Sequence, residues 1–187
     1  STLFPYTTLF RSARFRLLGR EERAARLAAY CRAVLDDVKK KISAVPEEKR
    51  VSVYYAEGPD GLSTEPASSS HATVLRIAGA RNVADVKAVS GSGMSPVSLE
   101  QILNWNPEVI IAWEDYRGGA HGRIKSDPDW ASIRAVKDGR VYAMPNTPFS
   151  WIDRPPSVNR FLGIQWIASL LYPEAYNADF RAATREF

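Results

Sequence analysis

The sequence has one cysteine, Cys31, and two histidines among its 187 residues. A single cysteine cannot form an internal disulfide, and no spacing of His and Cys matches a zinc signature. No apolar run approaches the eighteen or so residues that a membrane-spanning helix needs. The sequence also lacks a G-x-S-x-G elbow, a phosphate-binding loop and a dinucleotide fingerprint. We therefore expect no enzymatic activity.

The charge of the chain is modest, with a net value of +4 and a basic pI of about 9.3. The basic residues are scattered, apart from the triplet 39–41. That triplet lies near the predicted end of a helix, where positive charges stabilise the helix dipole. We therefore expect no nucleic-acid partner, and we predict a monomer.

The first residues do not resemble a natural protein. Residues 2–12 match the translation of one frame of a widely used sequencing adapter. We expect residues 1–12 to be a non-native scar and exclude them from fold reasoning. Authentic sequence is then expected to begin near Ala13, so a missing leader peptide says nothing about localisation.

The stretch 98–112 has the clearest local pattern. The Ser98 hydroxyl can cap a short amphipathic helix, which Pro107 cannot continue. The segment 109–112 is apolar and β-branched, which suits a strand buried on both faces. This strand stops at Trp113, and ligands in open α/β sheets meet the carboxyl ends of strands. The pattern therefore predicts ligand contact at Trp113.

Helices and strands alternate along the rest of the chain. Apolar residues recur at three- and four-residue spacing from Phe15 to Ile42, which predicts a long helix. Further strands are predicted at 51–55 and 141–144, shorter helices at 71–78, from Ser157 and from Pro173, and polar loops at 64–70 and 116–127. This order predicts an α/β fold, a three-layer α/β/α lobe with a mostly parallel sheet, preceded by a long helix.

The predicted ligand-binding residues lie after predicted strands or before a predicted helix. They are Tyr55, Glu57, Ser69, His71, Trp113, Tyr116, Arg117, Phe149, Trp151 and Arg154. Aromatic rings on loops are typical of pockets for organic ligands, and guanidinium groups bind carboxylates and phosphates. The start of a helix presents N–H groups to an anion.

Ordinary structural roles compete with these interpretations. Alternation places Tyr55 and the tyrosine before it on opposite faces of a strand, so one of them is expected in the core. The serines before His71 can simply cap a helix, and Arg154 can hold its own loop. A different class of function is an α/β enzyme that uses Glu114, His121 and Arg154, which requires a strongly perturbed titratable group in a cleft. A protein-docking domain would instead show a broad apolar patch.

Four stretches resemble the substrate-binding proteins of ABC importers, in the family that carries iron–siderophore complexes, haem, cobalamin and some oxyanions. Residues 97–111, VSLEQILNWNPEVII, are similar to its "slEqilalnPDvIi" pattern. Residues 54–62 resemble the strand and ligand loop that open its second lobe, residues 80–84 its "GgkNva" turn, and residues 151–157 its "gRpspr" loop. All four stretches follow the family's order.

This resemblance implies that residues 13–44 form a long helix between two lobes and that residues 50–187 form the C-terminal lobe. The N-terminal half of that helix should then look under-packed. Glu100 is implied to dock into an arginine pocket on the membrane permease, and the complete protein is implied to be periplasmic or lipid-anchored outside the cell. The expected ligand is an iron–siderophore or haem-like complex, with molybdate or tungstate second and cobalamin third. No cofactor and no metal-ligating residue of the chain itself is expected.

Overall fold

The computed structural model of the chain describes residues 19–89, 93–114, 119–155 and 157–186. The expected scar 1–12, the first residues of the expected long helix, and the predicted site residues Tyr116 and Arg117 lie outside these ranges.

The described chain alternates between strands and helices. The strands are β1 (Ser52–Ala56), β2 (Ser63–Thr64), β3 (Arg81–Asn82), β4 (Ser95–Pro96), β5 (Val109–Ala112) and β6 (Val141–Ala143). The α-helices are α1 (Glu21–Ile42), α2 (Thr73–Ile77), α3 (Leu99–Trp105), α4 (His121–Ser126), α5 (Arg134–Lys137), α6 (Arg160–Leu171) and α7 (Phe180–Glu186). Short 3-10 helices cover Glu47–Lys49, Ser70–Ala72 and Pro128–Trp130.

The main sheet has the strand order β3-β1-β5-β6, and all of its pairs are parallel. Strands β2 and β4 form a separate antiparallel ribbon. The predicted fold class, an α/β lobe with a mostly parallel sheet, is confirmed. Of the helices that the structure describes, none combines the length and apolarity needed to cross a bilayer.

Helices cover both faces of this sheet. The first face carries α1, α2 and α6, which pack on the side chains of Val53, Tyr55, Val109 and Ile111. The second face carries α3, α4 and α5, which pack on Tyr54, Ala56, Ile110 and Ala112. Successive residues of β1 and β5 thus enter different cores, as the two-residue period of a strand requires.

The topology places a switch point between β1 and β5. The chain leaves β1 towards α2 on the first face, whereas it leaves β5 towards α4 on the second face. The two carboxyl ends remain adjacent, because the Trp113 N–H donates to the Ala56 carbonyl at 2.7 Å. In open α/β sheets a crevice for ligands opens at such a point.

Local chemistry explains where several elements begin. Ser98 caps α3 in a capping box, in which its hydroxyl accepts from the Gln101 N–H at 3.2 Å and the Gln101 side chain accepts from the Ser98 N–H. The predicted helix from Ser157 begins instead at Arg160, since the Ser157 hydroxyl accepts from the Asn159 N–H in a turn before it.

Two predicted loops turn out to be ordered. Residues 121–126 form α4, whose Ile124 is fully buried in the second core. Residues 64 and 65 are buried where the antiparallel ribbon folds back on β1. Neither segment has a periodic apolar pattern, and each is held by contacts with residues distant in the sequence.

The long helix α1 is buried only at its C-terminal end. Its buried residues are Val34, Val38 and Ile42, and no residue from 21 to 33 is buried. Its 22 residues correspond to about 33 Å at 1.5 Å per residue. The N-terminal half therefore packs as loosely as expected for a helix that extends away from this lobe.

Candidate functional site

The site begins with a tight turn after β1. Gly58 and Gly61 adopt φ angles of +77° and +75°, which glycine tolerates best. The Glu57 N–H donates to the Ser63 carbonyl at 2.7 Å, and the Ser63 N–H donates back at 3.3 Å. The chain therefore reverses at once and carries Glu65 back to the carboxyl end of β1.

Six side chains meet at this edge of the sheet, and we call them the charged cluster. They are Glu57, Glu65, His71, Asp153, Arg154 and Arg160. Each of the three carboxylate side chains is 1% exposed, whereas Arg154 and His71 keep 26% and 23% of their side-chain surface exposed. The cluster is thus buried on its acidic side and reaches the surface through its basic groups.

Arg154 is the centre of the charged cluster. Its Nη1 donates to Glu57 Oε1 and its Nη2 to Glu65 Oε1, each at 2.5 Å, and Nη1 also bonds Asp153. Arg160 Nη2 donates to Asp153 Oδ1 at 3.3 Å. Arg154 thus makes ion pairs that join three segments of the chain, and its predicted alternative role, holding its own loop, stays a prediction.

His71 is held on two sides. Its backbone N–H donates to the Ser69 hydroxyl at 3.1 Å, so Ser69 caps the 3-10 helix at 70–72. Its Nδ1 bonds the buried Asp153 carboxylate. A carboxylate in this position orients an imidazole and leaves Nε2 as the ring nitrogen that can contact a ligand.

The backbone at Gly93 closes the cluster from the other side. The Met94 N–H donates to Glu65 Oε1 at 2.8 Å, and Gly93 has φ +71°. A Cβ at Gly93 would overlap the Glu65 carboxylate and the Arg154 guanidinium. The Asn82 amide also donates to the Glu65 carbonyl at 2.7 Å, which ties the predicted turn at 80–84 to the site.

The two glutamates respond differently to this environment. Burial, with the charges of Glu65 and Asp153, raises the pKa of Glu57 to about 8, and Arg154 opposes this rise. For Glu65, burial raises the pKa, but hydrogen bonds from Ser69, Met94 and Arg154 outweigh it and lower the pKa below its usual value. One strongly perturbed carboxyl group therefore lies at the switch point.

The spacing of three of these groups would also suit a metal ion. Ligand atoms of Glu65, His71 and Asp153 lie within 4.8 Å of one another. The positive charge that their carboxylates meet in this structure comes from Arg154 and Arg160. A cation would have to compete with both guanidinium groups for the same oxygens.

The predicted aromatic residues are distributed unevenly. Phe149 is 54% exposed, and Trp113 and Trp151 are half-buried, with Trp151 Nε1 donating to the Thr147 carbonyl at 3.2 Å. Tyr55 is fully buried, and its hydroxyl meets Met144 Sδ at 3.5 Å. Tyr55 therefore belongs to the first core, and Tyr54 is equally buried in the second core, so both tyrosines are core residues where only one was expected.

Only two of the three residues proposed for an enzyme site, Glu114 and His121, lie close together. His121 Nδ1 lies 3.6 Å from Glu114 Oε1 on the second face, and its Nε2 lies 3.2 Å from the Val141 carbonyl. Arg154 is instead bound by the charged cluster. The three residues proposed for that site thus divide between two places, and the perturbed group is Glu57.

Sequence reasoning missed Glu65, Asp153 and Arg160. Glu65 lies in a stretch predicted to be a flexible loop, and Asp153 lies beside Arg154 without any motif of its own. A polar residue next to proline, as in Glu65-Pro66, is too common a pattern to indicate burial. Permease docking at Glu100 remains a prediction, and the residue is exposed in the first turn of α3.

A parallel α/β lobe with a charged cluster at its switch point has the features of a domain that binds small ligands. The family described as "Periplasmic binding protein" matches residues 16–148. The chain belongs to this family, the substrate-binding proteins of ABC transporters, which confirms the resemblance.

Relatives and solved structures agree with this assignment. The chain is 36% identical over 136 residues to the molybdate-binding protein MolA of Haemophilus influenzae, which covers 73% of this chain and 37% of MolA. It is 24% identical over 142 residues to the iron(3+)-hydroxamate-binding protein FhuD of Bacillus subtilis, covering 74% of this chain and 45% of FhuD. A solute-binding protein of an ABC transporter from Sulfurospirillum deleyianum superposes with a TM-score of 0.86 at 39% identity, covering 96% of this chain and 54% of that one. The chain thus spans less than half the length of these two curated relatives.

Proposed function

We propose that this chain is the C-terminal lobe, with the inter-lobe helix, of a protein that captures a solute for an ABC importer. Residues 50–187 form the lobe, and α1 within residues 13–44 joins it to a second lobe. The loosely packed N-terminal half of α1 supports this division, because no residue from 21 to 33 is buried. The complete protein is then periplasmic or lipid-anchored outside the cell, and its function is binding without chemistry.

The proposed ligand is a small oxyanion of the molybdate and tungstate class. The observation that carries this proposal is the charged cluster at the switch point, whose exposed members are the basic Arg154 and His71. Both side chains have N–H groups, and hydrogen bonds between charged groups are about twice as strong as neutral ones. The similarity to a molybdate-binding relative supports the same class.

A ferric siderophore or a haem-like complex is the second candidate. Phe149 is exposed, and Trp113 and Trp151 are partly exposed, on loops that follow the carboxyl ends of β5 and β6. Rings in such places suit large organic ligands. Iron–hydroxamate is what the Bacillus relative binds according to its name. Cobalamin is a third candidate by fold alone.

Calorimetric titration of the complete gene product tests the choice of ligand. We expect molybdate and tungstate to bind more tightly than ferric hydroxamate, haem or cobalamin. His71→Ala should weaken oxyanion binding at least tenfold, whereas His121→Ala, which removes the other histidine, should leave affinity unchanged. Binding of a ferric chelate with no response to either oxyanion would refute the oxyanion assignment and leave the second candidate.

Docking to a permease is proposed for the surface around Glu100. Exposed charges at an interface steer association more than they add affinity. Glu100→Arg should lower transport by the reconstituted importer without changing solute affinity. Glu174→Arg, a charge reversal at another exposed position, is the matched control. Equal transport by both variants would remove Glu100 from the docking surface.

A further inference from the structure

We propose that this site binds a doubly charged oxyanion in a form that holds one proton among the carboxylates around Arg154, so that in alkaline solution this proton is taken up together with the anion. This inference rests on the proposed function and adds to it a dependence of capture on pH. It follows from a count of the charges in the charged cluster and from the hydrogen bonds of its oxygens.

The charged cluster contains more acidic than basic groups. Glu57, Glu65 and Asp153 are opposed by Arg154 and Arg160, and His71 adds a positive charge only when it is protonated. Three buried negative charges and two positive ones leave an excess of one negative charge. A dianion arriving at the exposed edge of the cluster would be repelled by this excess, which burial leaves poorly screened.

The hydrogen bonds indicate which carboxylate is protonated. Asp153 uses both oxygens, one towards His71 and Arg160 and the other towards Arg154. Glu65 Oε1 accepts from both Met94 and Arg154. Glu57 Oε1 accepts only from Arg154 among its described contacts, and the Oε2 atoms of both Glu57 and Glu65 are buried without a described hydrogen-bond partner, so Glu57 has one donor where Glu65 has two. Glu57 is thus the least stabilised anion of the three.

The neighbouring titratable groups agree with this assignment. Burial raises the pKa of Glu57 to about 8. The pKa of Glu65 is lowered, so Glu65 remains ionised. On β1, burial raises the pKa values of Tyr54 and Tyr55, which remain neutral. Arg154 contacts Glu57 from the loop before α6, and its pKa is raised because the charges of its carboxylate partners outweigh the effect of burial. Arg160, at the start of α6, has a pKa that burial lowers.

Protonation of Glu57 balances the cluster, with two carboxylates against two guanidinium groups. The oxyanion then binds the protonated form, and its own charge favours that form further. By linkage, the contribution of Glu57 to affinity is constant well below pH 8 and falls up to tenfold for each pH unit above it. Molybdate stays doubly charged over this range, so its own protonation does not contribute.

Titrations of the complete gene product with sodium molybdate, in two buffers of different ionisation enthalpy, count the protons exchanged. At pH 8.5 we expect about three-quarters of a proton taken up per molybdate, and about an eightfold loss of affinity between pH 8.5 and 9.5. Glu57→Gln, which mimics the neutral acid, should lose both effects, so that molybdate binding exchanges no proton at pH 8.5 and does not weaken between pH 8.5 and 9.5. Glu108→Gln is the control, because Glu108 pairs with Arg134 beside Ser52, at the start of β1.

The outcomes separate this inference from the proposed function. Molybdate binding with equal affinity at pH 7 and 9.5 and no proton exchange would overturn the inference alone. No binding of molybdate or tungstate from pH 6 to 9.5 would overturn the oxyanion assignment and the inference with it. If Glu57→Gln fails to fold, carbon-13 NMR spectra of the natural protein test the inference instead. One glutamate carboxyl group should titrate near pH 8, and its pKa should rise when molybdate binds. A protein without such a resonance would also overturn the inference.

Discussion

Replacing Asp153 by alanine should be among the most destabilising single changes in this lobe. The Asp153 side chain is 1% exposed and accepts from His71, Arg154 and Arg160. Its position is fixed by the loop itself, since the Ser150 hydroxyl accepts from the Asp153 N–H at 2.9 Å. The substitution would leave three basic or polar groups facing a space without an acceptor.

The magnitude follows from the asymmetry of buried ion pairs. Removing one partner of a buried pair costs about 3–5 kcal/mol, because the other charge is left uncompensated. Arg154 retains Glu57 and Glu65, whereas Arg160 loses the carboxylate that it contacts. We therefore expect Asp153→Ala to lower the free energy of unfolding by about 3–4 kcal/mol, and Asp153→Asn by less because its amide oxygen can still accept.

Urea unfolding, followed by tryptophan fluorescence and by circular dichroism, measures this loss. Asp138→Ala is the matched control, because Asp138 is 50% exposed and lies 3.5 Å from Arg134 Nε. Such a surface pair contributes at most about 1 kcal/mol. If Asp153→Ala and Asp138→Ala lowered the free energy of unfolding equally, the ion pairs of the charged cluster would contribute no more to stability than a surface pair, contrary to this prediction.

Three further predictions concern single positions. Gly93→Ala should lower the free energy of unfolding clearly more than Gly139→Ala does. Both positions have positive φ, so alanine adds about 1–2 kcal/mol of backbone strain at each, but only at Gly93 would the Cβ overlap the Glu65–Arg154 pair. Ser98→Ala should cost about 1 kcal/mol in thermal or urea unfolding by removing the cap of α3. The pKa of Glu57 in the folded state, about 8, exceeds its value in the unfolded chain, so the folded state binds more protons between about pH 4.5 and 8. The free energy of unfolding should therefore fall across that range by up to about 1.4 kcal/mol per pH unit. Glu57→Gln should lack this fall.

Each of these has a contrary result. Equal losses of unfolding free energy for Gly93→Ala and Gly139→Ala would mean that the backbone at Gly93 is not in close contact with the charged cluster. A stability of Ser98→Ala equal to that of the natural protein would show that the capping box contributes nothing. The same pH profile in Glu57→Gln and the natural protein would assign the titration to another group.

Where neighbouring residues alone decide the conformation, the sequence was sufficient. The cap at Ser98 and the strand 109–112 were predicted to the residue, because a hydroxyl at a helix start and a short β-branched run act over a few positions. The α/β fold class followed from the alternation of such segments, and the resemblance of residues 97–111 and three other stretches led to the correct family.

Only the tertiary structure decided what the site is made of. Arg154 contacts Glu57 and Glu65, which lie 97 and 89 positions away, and no local pattern indicates that partner choice. The same holds for the burial of Ile124 in α4 and of Tyr55 in the first core, because helices from distant parts of the chain cover both faces of the sheet. Ion pairs and burial depend on which segments the fold brings together, and that information is spread over the whole chain.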